Sequence, residues 1–396
     1  MLRFYDQVLD APTRLRDGTH RAASLAQTWS RFAPAMRRAG ITRIADVTGL
    51  DTLGIPVATA IRPMGKSLST QQGKGATWQA ARVSALMEAL ETWTAEELAV
   101  PRVRGSANGL ARGHNVVDVH ALARPHGKLD LATRWDWVEG FDLVAGEPVL
   151  VPAQAVTLDT TDVGVVAPMT FDVSSNGLAS GNVLVEAILH GLCEVIERDA
   201  EAAWRRAGGD RRLILDTVVD PTCTALIDQI TRTGARVFVW DLTSDIGLCA
   251  IGCAIVEDPR EPAWRALGCY QGFGAHLSPQ VAIARALTEA AQTRLTYIAG
   301  GRDDFFPADY ARATNPDILR AMWERLTQPC DEPVMFDDLP AHAPRGLGHA
   351  LEMAVEVACV AGAEQIIAVD LTHPKLKVPV TKVIVPGRAT DVEALG

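Results

Sequence analysis

Three stretches of the chain repeat one pattern: "AARVSALMEALET" (80–92), "EAILHGLCEVIER" (186–198) and "VAIARALTEAAQT" (281–293). Each sets a small residue and a leucine ahead of Glu88, Glu194 or Glu289. Three residues later stands Glu91, Glu197 or Gln292, and four earlier Ser84, His190 or Arg285. A spacing of i, i+4 and i+7 puts each set on one helical face, so the repeat predicts three long helices, each with a narrow polar stripe on a small or apolar surface. In the second helix Val185, Ile188, Leu189, Leu192, Val195 and Ile196 form the apolar arc, opposite Glu186, His190, Glu194, Glu197 and Glu201.

A second echo links "GARVFVWDLTSDIGLCAIGCAIV" to "GAEQIIAVDLTHPKLKVPVTKVIV": strand, Asp-Leu-Thr, strand. "ITRIADVTGLDTLGIPVATAIRP" reads as two short strands, and "RWDWVEGFDLVAGEPVLVPAQAV" as a hairpin around Ala145-Gly146-Glu147-Pro148. No low-complexity linker divides the 396 residues, so residues 1–396 are expected to form a single α/β (α+β) domain built from repeated αβ units. Residues 301–337, rich in Asp, Pro and Phe, are expected to be irregular, a mobile insertion or lid within 300–340.

A formal charge of -10 gives no basic field for nucleic acid or anionic lipid, and neither a signal peptide nor a membrane-length apolar run is present. The protein is expected in the cytoplasm. Seven cysteines, scattered and without a C-x-x-C pair, read as buried thiols; Cys249 and Cys253 fall on one face of a strand.

A glutamate stripe is ordinarily a solvated helix face, but such faces usually carry Lys or Arg at i+4. Between Arg82 and Arg102 stand Glu88, Glu91, Glu96 and Glu97 with no basic residue. Like-charge repulsion of this kind calls for a cation. If the three stripes converge, Glu88, Glu91, Glu186, Glu194, Glu197 and Glu289 offer hard oxygen ligands suited to Mg²⁺, with Arg198 and Arg285 as clamps on anionic oxygens. Metal, phosphate and arginine describe a nucleotide site. It is not the usual one: G-x-x-x-x-G-K-[ST] is absent, and "QGKG" (72–75) is either a phosphate loop or a plain turn before a helix. His190 is read as a surface or core histidine with no catalytic role.

The segments "QGKGATWQAARVSALMEALE", "SSNGLASGNVLVEAILHGLCEVIERDA" and "GFGAHLSPQVAIARALTEAAQTRL" closely resemble the hallmark segments of the YcaO family. "GTHRAASLAQT", "ITRIADVTGLDTLGIPV" and "VDLTHPKLKVPVTKVIVPG" extend the likeness over nearly the whole chain. The resemblance implies a fold whose helices line a central Mg-ATP site and an activity that phosphorylates a peptide backbone amide oxygen. Carried over residue by residue, it makes Ser84, Glu88 and Glu91 the first hallmark helix's contribution, with the two glutamates as metal ligands. Asn182, Glu186, Glu194, Glu197 and Arg198 come from the second, and Arg285 and Glu289 from the third. Arg21 and Thr28 match a basic residue and a hydroxyl that contact the nucleotide. Some relatives carry a serine where this chain has Ala179 or its neighbour Ser180, and that contact is left unassigned.

The nucleophile that follows decides the product: a substrate side chain gives an azoline, external sulfide a thioamide. Azoline-forming members often end in P-x-P-x-P, whereas this chain ends "KVIVPGRATDVEALG", and a fused leader-binding module is not expected. Compact members commonly work with a TfuA-type protein, and the methanogen relatives that thioamidate a glycine of methyl-coenzyme M reductase look especially similar. Thioamidation of a peptide or protein, with a TfuA-type partner, is the expected function; a homodimer is allowed. An azoline-forming cyclodehydratase, a non-catalytic ATP-binding scaffold and a two-metal phosphate hydrolase are the competing readings.

Overall fold

The computed structural model describes residues 1–14, 18–122, 129–161, 170–262, 264–330 and 332–388. The longer helices are α1 (Leu25–Phe32), α2 (Trp78–Glu96), α3 (Leu184–Ala207), α4 (Pro221–Thr231), α5 (Pro279–Ala299), α6 (Pro316–Leu326) and α7 (Leu347–Val360). The three stripe segments are thus α2, α3 and α5, each long enough to run from one end of a sheet to the other.

Three larger sheets carry these helices. Arg43–Asp46, Val57–Ile61 and Thr70–Lys74 form an antiparallel meander against which α2 packs. A five-stranded sheet runs Tyr270–Ala275, Ala250–Glu257, Ala235–Asp241, Arg211–Leu213, Glu332–Val334, with α5 laid against it. A six-stranded sheet includes the path Arg102–Ser106, Arg134–Asp142, Ile367–Asp370, Val380–Ile384, Leu178–Ser180, with Glu147–Pro152 pairing Arg134–Asp142. The two Asp-Leu-Thr segments are both antiparallel hairpins, as their likeness predicts.

Repetition is visible in how helix meets strand. A Cβ added at Gly73 would lie 1.9 Å from the Ala85 backbone nitrogen, and one at Gly272 would lie 2.2 Å from that of Ala290. Only glycine allows α2 and α5 to approach their strands so closely. In "QGKG" the first three residues end a strand and Gly73 presses on α2, so the segment is not a plain turn.

Residues 301–337 are more regular than expected. They hold helices Pro307–Ala313 and α6, then the edge strand Glu332–Val334. The Pro and Asp residues that suggested irregular chain are helix-start signals: Pro307 and Pro316 open their helices, and Asn315 Oδ1 accepts from the backbone N–H groups of Asp317 and Ile318.

Three apolar clusters form the interior. One joins α3 and α7, a second places α2 against the six-stranded sheet, and the third packs α4 and α5 on the five-stranded sheet and contains Cys249 and Cys253. No helix among the described residues is long and apolar enough to cross a membrane.

Candidate active site

The stripes of α2, α3 and α5 face a common cleft. On its acidic side stand Glu88 and Glu91 from α2, Glu194 and Glu197 from α3, and Glu289 from α5, each within the electrostatic reach of at least one of the others. Glu197 Oε2 accepts from the Ala275 N–H at 2.9 Å, and Glu289 Oε1 accepts from the Phe273 N–H at 3.3 Å. Strand Tyr270–Ala275 therefore holds two of the carboxylates with its backbone. Ser84 lies one turn before Glu88, half-buried on the same stripe.

Burial, reinforced by Glu88 and Glu194, holds the Glu91 carboxyl well above the usual carboxylate range. Burial also pushes Glu194 and Glu197 up to about 7, with Glu88 adding to the first and Glu289 to the second. Glu289 goes the other way: although its partial burial pushes its carboxyl up, it is held below its usual value by Lys74, with which it pairs, and by Arg198. Arg198 also donates to Glu201 at 3.2 Å and remains protonated within the acid field.

Glu186 stands apart. Its Oε2 accepts from the Ala22 N–H at 2.8 Å, Arg21 Nη1 lies 3.6 Å from Oε1, and Asn182 Nδ2 donates to it at 3.1 Å. Asn182 Oδ1 in turn accepts from the Thr28 hydroxyl at 2.8 Å. Arg21, Thr28 and Asn182, expected at the nucleotide, and Glu186, expected among the metal ligands, are thus one hydrogen-bonded unit tying the N-terminal segment to the start of α3.

Beside that unit opens a small cavity of about 20 Å³, lined among others by Arg21, Glu186, His190, His276 and Arg285. Arg285 Nη1 donates to the Ala275 carbonyl at 3.3 Å. His190 belongs to this wall rather than to a bland surface, and its Nδ1 is buried with no hydrogen-bond partner among the described residues. Burial, with Arg285 and Arg21 nearby, lowers His190 far below the ordinary histidine value and keeps the ring neutral. His276 is neutral for the same reasons, and its Nδ1 accepts from the Ser278 N–H at 3.0 Å.

Three contributors escaped the stripe pattern. Ser180, left unassigned from sequence, hydrogen-bonds to Glu91. Lys74, inside the "QGKG" fragment, reaches across to Glu289. Lys382 is 4% exposed on strand Val380–Ile384, where burial brings its ammonium down to about 8 against the opposing pull of Glu194 and Glu91. Strand alternation holds the one available clue: Lys382 shares a face with Val380 and Ile384, and a lone lysine on such a face must meet an acid.

The donor set fits a divalent cation. Glu91, Glu194 and Glu197 bear the cost of burial and mutual repulsion in raised pKa values, and a hard dication would relieve both. The carboxylates are not pre-gathered, however: among the described residues no three His, Cys, Asp or Glu side chains stand at metal-ligating spacing.

A family model described as YcaO cyclodehydratase, ATP- and Mg²⁺-binding, matches residues 72–389. The "uncharacterized protein in tfuA 3′ region" of Rhizobium leguminosarum bv. trifolii is 37% identical over 389 residues, covering 94% of this chain and 89% of that one. A Methanothermobacter thermautotrophicus protein is 34% identical over 379 residues, covering 94% and 96%. Among solved structures, YcaO from Methanopyrus kandleri, bound with AMPPCP and Mg²⁺, superposes with a TM-score of 0.77 at 28% identity, covering 97% of this chain and 96% of that one. A heterocyclase in complex with substrate and cofactor shares the fold at a TM-score of 0.78 and 23% identity, covering 96% of this chain and 54% of that one.

Proposed function

This chain belongs to the YcaO family of ATP- and Mg²⁺-binding enzymes, and on that premise we propose that it phosphorylates a peptide backbone amide oxygen and directs sulfide to the activated carbon, giving a thioamide. The observation that carries the reading is the convergence of carboxylates from the three helices that the repeat marks, beside a cavity lined by Arg21 and Arg285. In-line phosphoryl transfer asks mainly for positioning and charge neutralisation, so no covalent nucleophile of the protein is required.

When bound, ATP supplies the phosphoryl group and Mg²⁺ spreads its developing charge. Glu88, Glu91, Glu194, Glu197 and Glu289 would hold the metal; Glu186 would join them only by loosening its hold on Arg21 and Ala22. Arg21, Thr28, Asn182, Arg198 and Arg285 are assigned to the nucleotide, with Ser84 beside them on the α2 stripe. Sulfide as nucleophile, with a TfuA-type partner to deliver or position the peptide, is supported by the rhizobial relative's place in a tfuA 3′ region. Azoline formation is the second reading, because the matching family model bears the description cyclodehydratase.

ATP turnover with Mg²⁺ and a peptide encoded beside the gene is the test. Glu194→Gln is expected to lower turnover by the roughly 10²–10³-fold that loss of one preorganised charge-stabilising group costs. Unchanged turnover in that variant overturns the metal assignment and favours a scaffold role. Mass spectrometry of the co-expressed peptide separates the products, since a thioamide exchanges oxygen for sulfur and an azoline loses water.

A further inference from the structure

Two lysines occupy the acidic wall where a metal would be expected, and they come from different sheets. Lys74 ends strand Thr70–Lys74 and pairs with Glu289 of α5, both side chains remaining about a fifth to a quarter exposed at 24% and 21%. Lys382 is nearly enclosed. Its face of strand Val380–Ile384 otherwise packs into the apolar cluster that includes Leu86 and Leu90 of α2. Its Nζ donates to the Ser174 carbonyl, and Glu194, Glu91 and Asp172 are the acids whose charges bear on it.

Burying a lysine costs several kcal/mol unless its charge is answered, so a position needing only volume would be served by Leu or Met. Lysine also differs from arginine in being a compact charge on a flexible stem, able to turn from one oxygen to another. Arg198, tied to Glu201, lacks that freedom. Among the described residues, the acids are not drawn to ligating spacing.

We propose that Lys74 and Lys382 are placeholder cations. They neutralise Glu289, Glu91 and Glu194 in the nucleotide-free protein and turn toward phosphate oxygens when a metal–nucleotide complex enters, so that the acidic wall does not load a divalent ion by itself. Metal and nucleotide then arrive together, and the free enzyme stays closed to stray divalent ions. This rests on the metal–nucleotide reading above.

Mn²⁺ binding to the full-length protein, followed by electron paramagnetic resonance without turnover, tests it. Lys74→Met and Lys382→Met, which keep most of the stem volume, are each expected to bind Mn²⁺ without nucleotide at least about tenfold tighter than the parent protein, because a like charge beside the dication has been removed. With AMPPCP present that advantage should vanish or reverse, since each lysine then also contributes to phosphate binding. Unchanged or weaker Mn²⁺ affinity in folded variants overturns the proposal. If Lys382→Met fails to fold, Lys74→Gln, at the open edge of the cleft, decides the matter alone. Uptake of Mn²⁺ with AMPPCP but no gain in the lysine variants sinks only this inference; no uptake by the parent protein even with AMPPCP sinks the nucleotide reading as well.

Discussion

The two walls of the cleft are built by opposite means. The acidic wall is modular: α2, α3 and α5 each bring the same glutamate at the same height, and two of these side chains are fixed by the backbone of one strand. The wall around the cavity is woven, joining Arg21 and Thr28 near the N-terminus, Asn182 and Glu186 at the start of α3, His276 on a loop and Arg285 on α5. Modular construction gives carboxylates that repel one another and so need a cation; woven construction gives a network whose acid, Glu186, is already answered within it, and its removable parts are a neutral imidazole and an arginine. The two walls should therefore fail differently.

The largest difference is expected with Arg285→Ala. Losing a charge-assisted contact of about 1.5–3 kcal/mol should weaken binding of a non-hydrolysable ATP analogue by roughly 10- to 100-fold, read by calorimetry. Mn²⁺ binding without nucleotide should be unaffected or tighter, and an equal loss of both would break the division into two walls. Next comes Asn182→Ala, which removes one of the two acceptors of the Thr28 hydroxyl and a donor to Glu186. It should destabilise the protein by about 1–3 kcal/mol in denaturant titration, because polar groups buried against each other lose their partner. A stability change near zero would mean that the N-terminal segment is not held there.

The smallest effect concerns pH and sharpens the account of the acids. Glu194 and Glu197 have folded-state pKa values of about 7, above the unfolded carboxylate value. Their contribution to stability is fully present below about pH 4.5 and is lost as pH rises through 7. A bound dication removes that loss. Thermal melts should accordingly show Mg²⁺ with an ATP analogue raising the midpoint more at pH 8 than at pH 6, by about 2–4 °C. An equal rise at both values would show that these carboxylates are ionised without help.

This contrast also explains what could be read from sequence. The acidic wall was legible because a helix fixes its side chains by residue spacing alone, so one repeat located Glu88, Glu194 and Glu289 together. The three stripe helices, both Asp-Leu-Thr hairpins and the hairpin at 134–152 were legible for the same local reason. Arg21 and Thr28 came only through family resemblance, since nothing within eight residues of either signals the α3 start that they meet. Lys382 was hidden by its context, one charge in an apolar strand whose partner acids lie nearly two hundred residues earlier or more. Residues 301–337 misled because Pro and Asp mark helix starts as readily as loops. The chain beyond residue 388, whose sequence bore on the choice of product, lies outside the described residues.

Gly73 and Gly272 leave no slack between strand and helix in either unit. Each αβ piece must consequently behave as a stiff plate, and whatever breathing admits a bulky ligand is confined to the seam between plates. Lys74 from one plate meets Glu289 from the other on that seam, so this contact would be the first to register that a guest has arrived or gone.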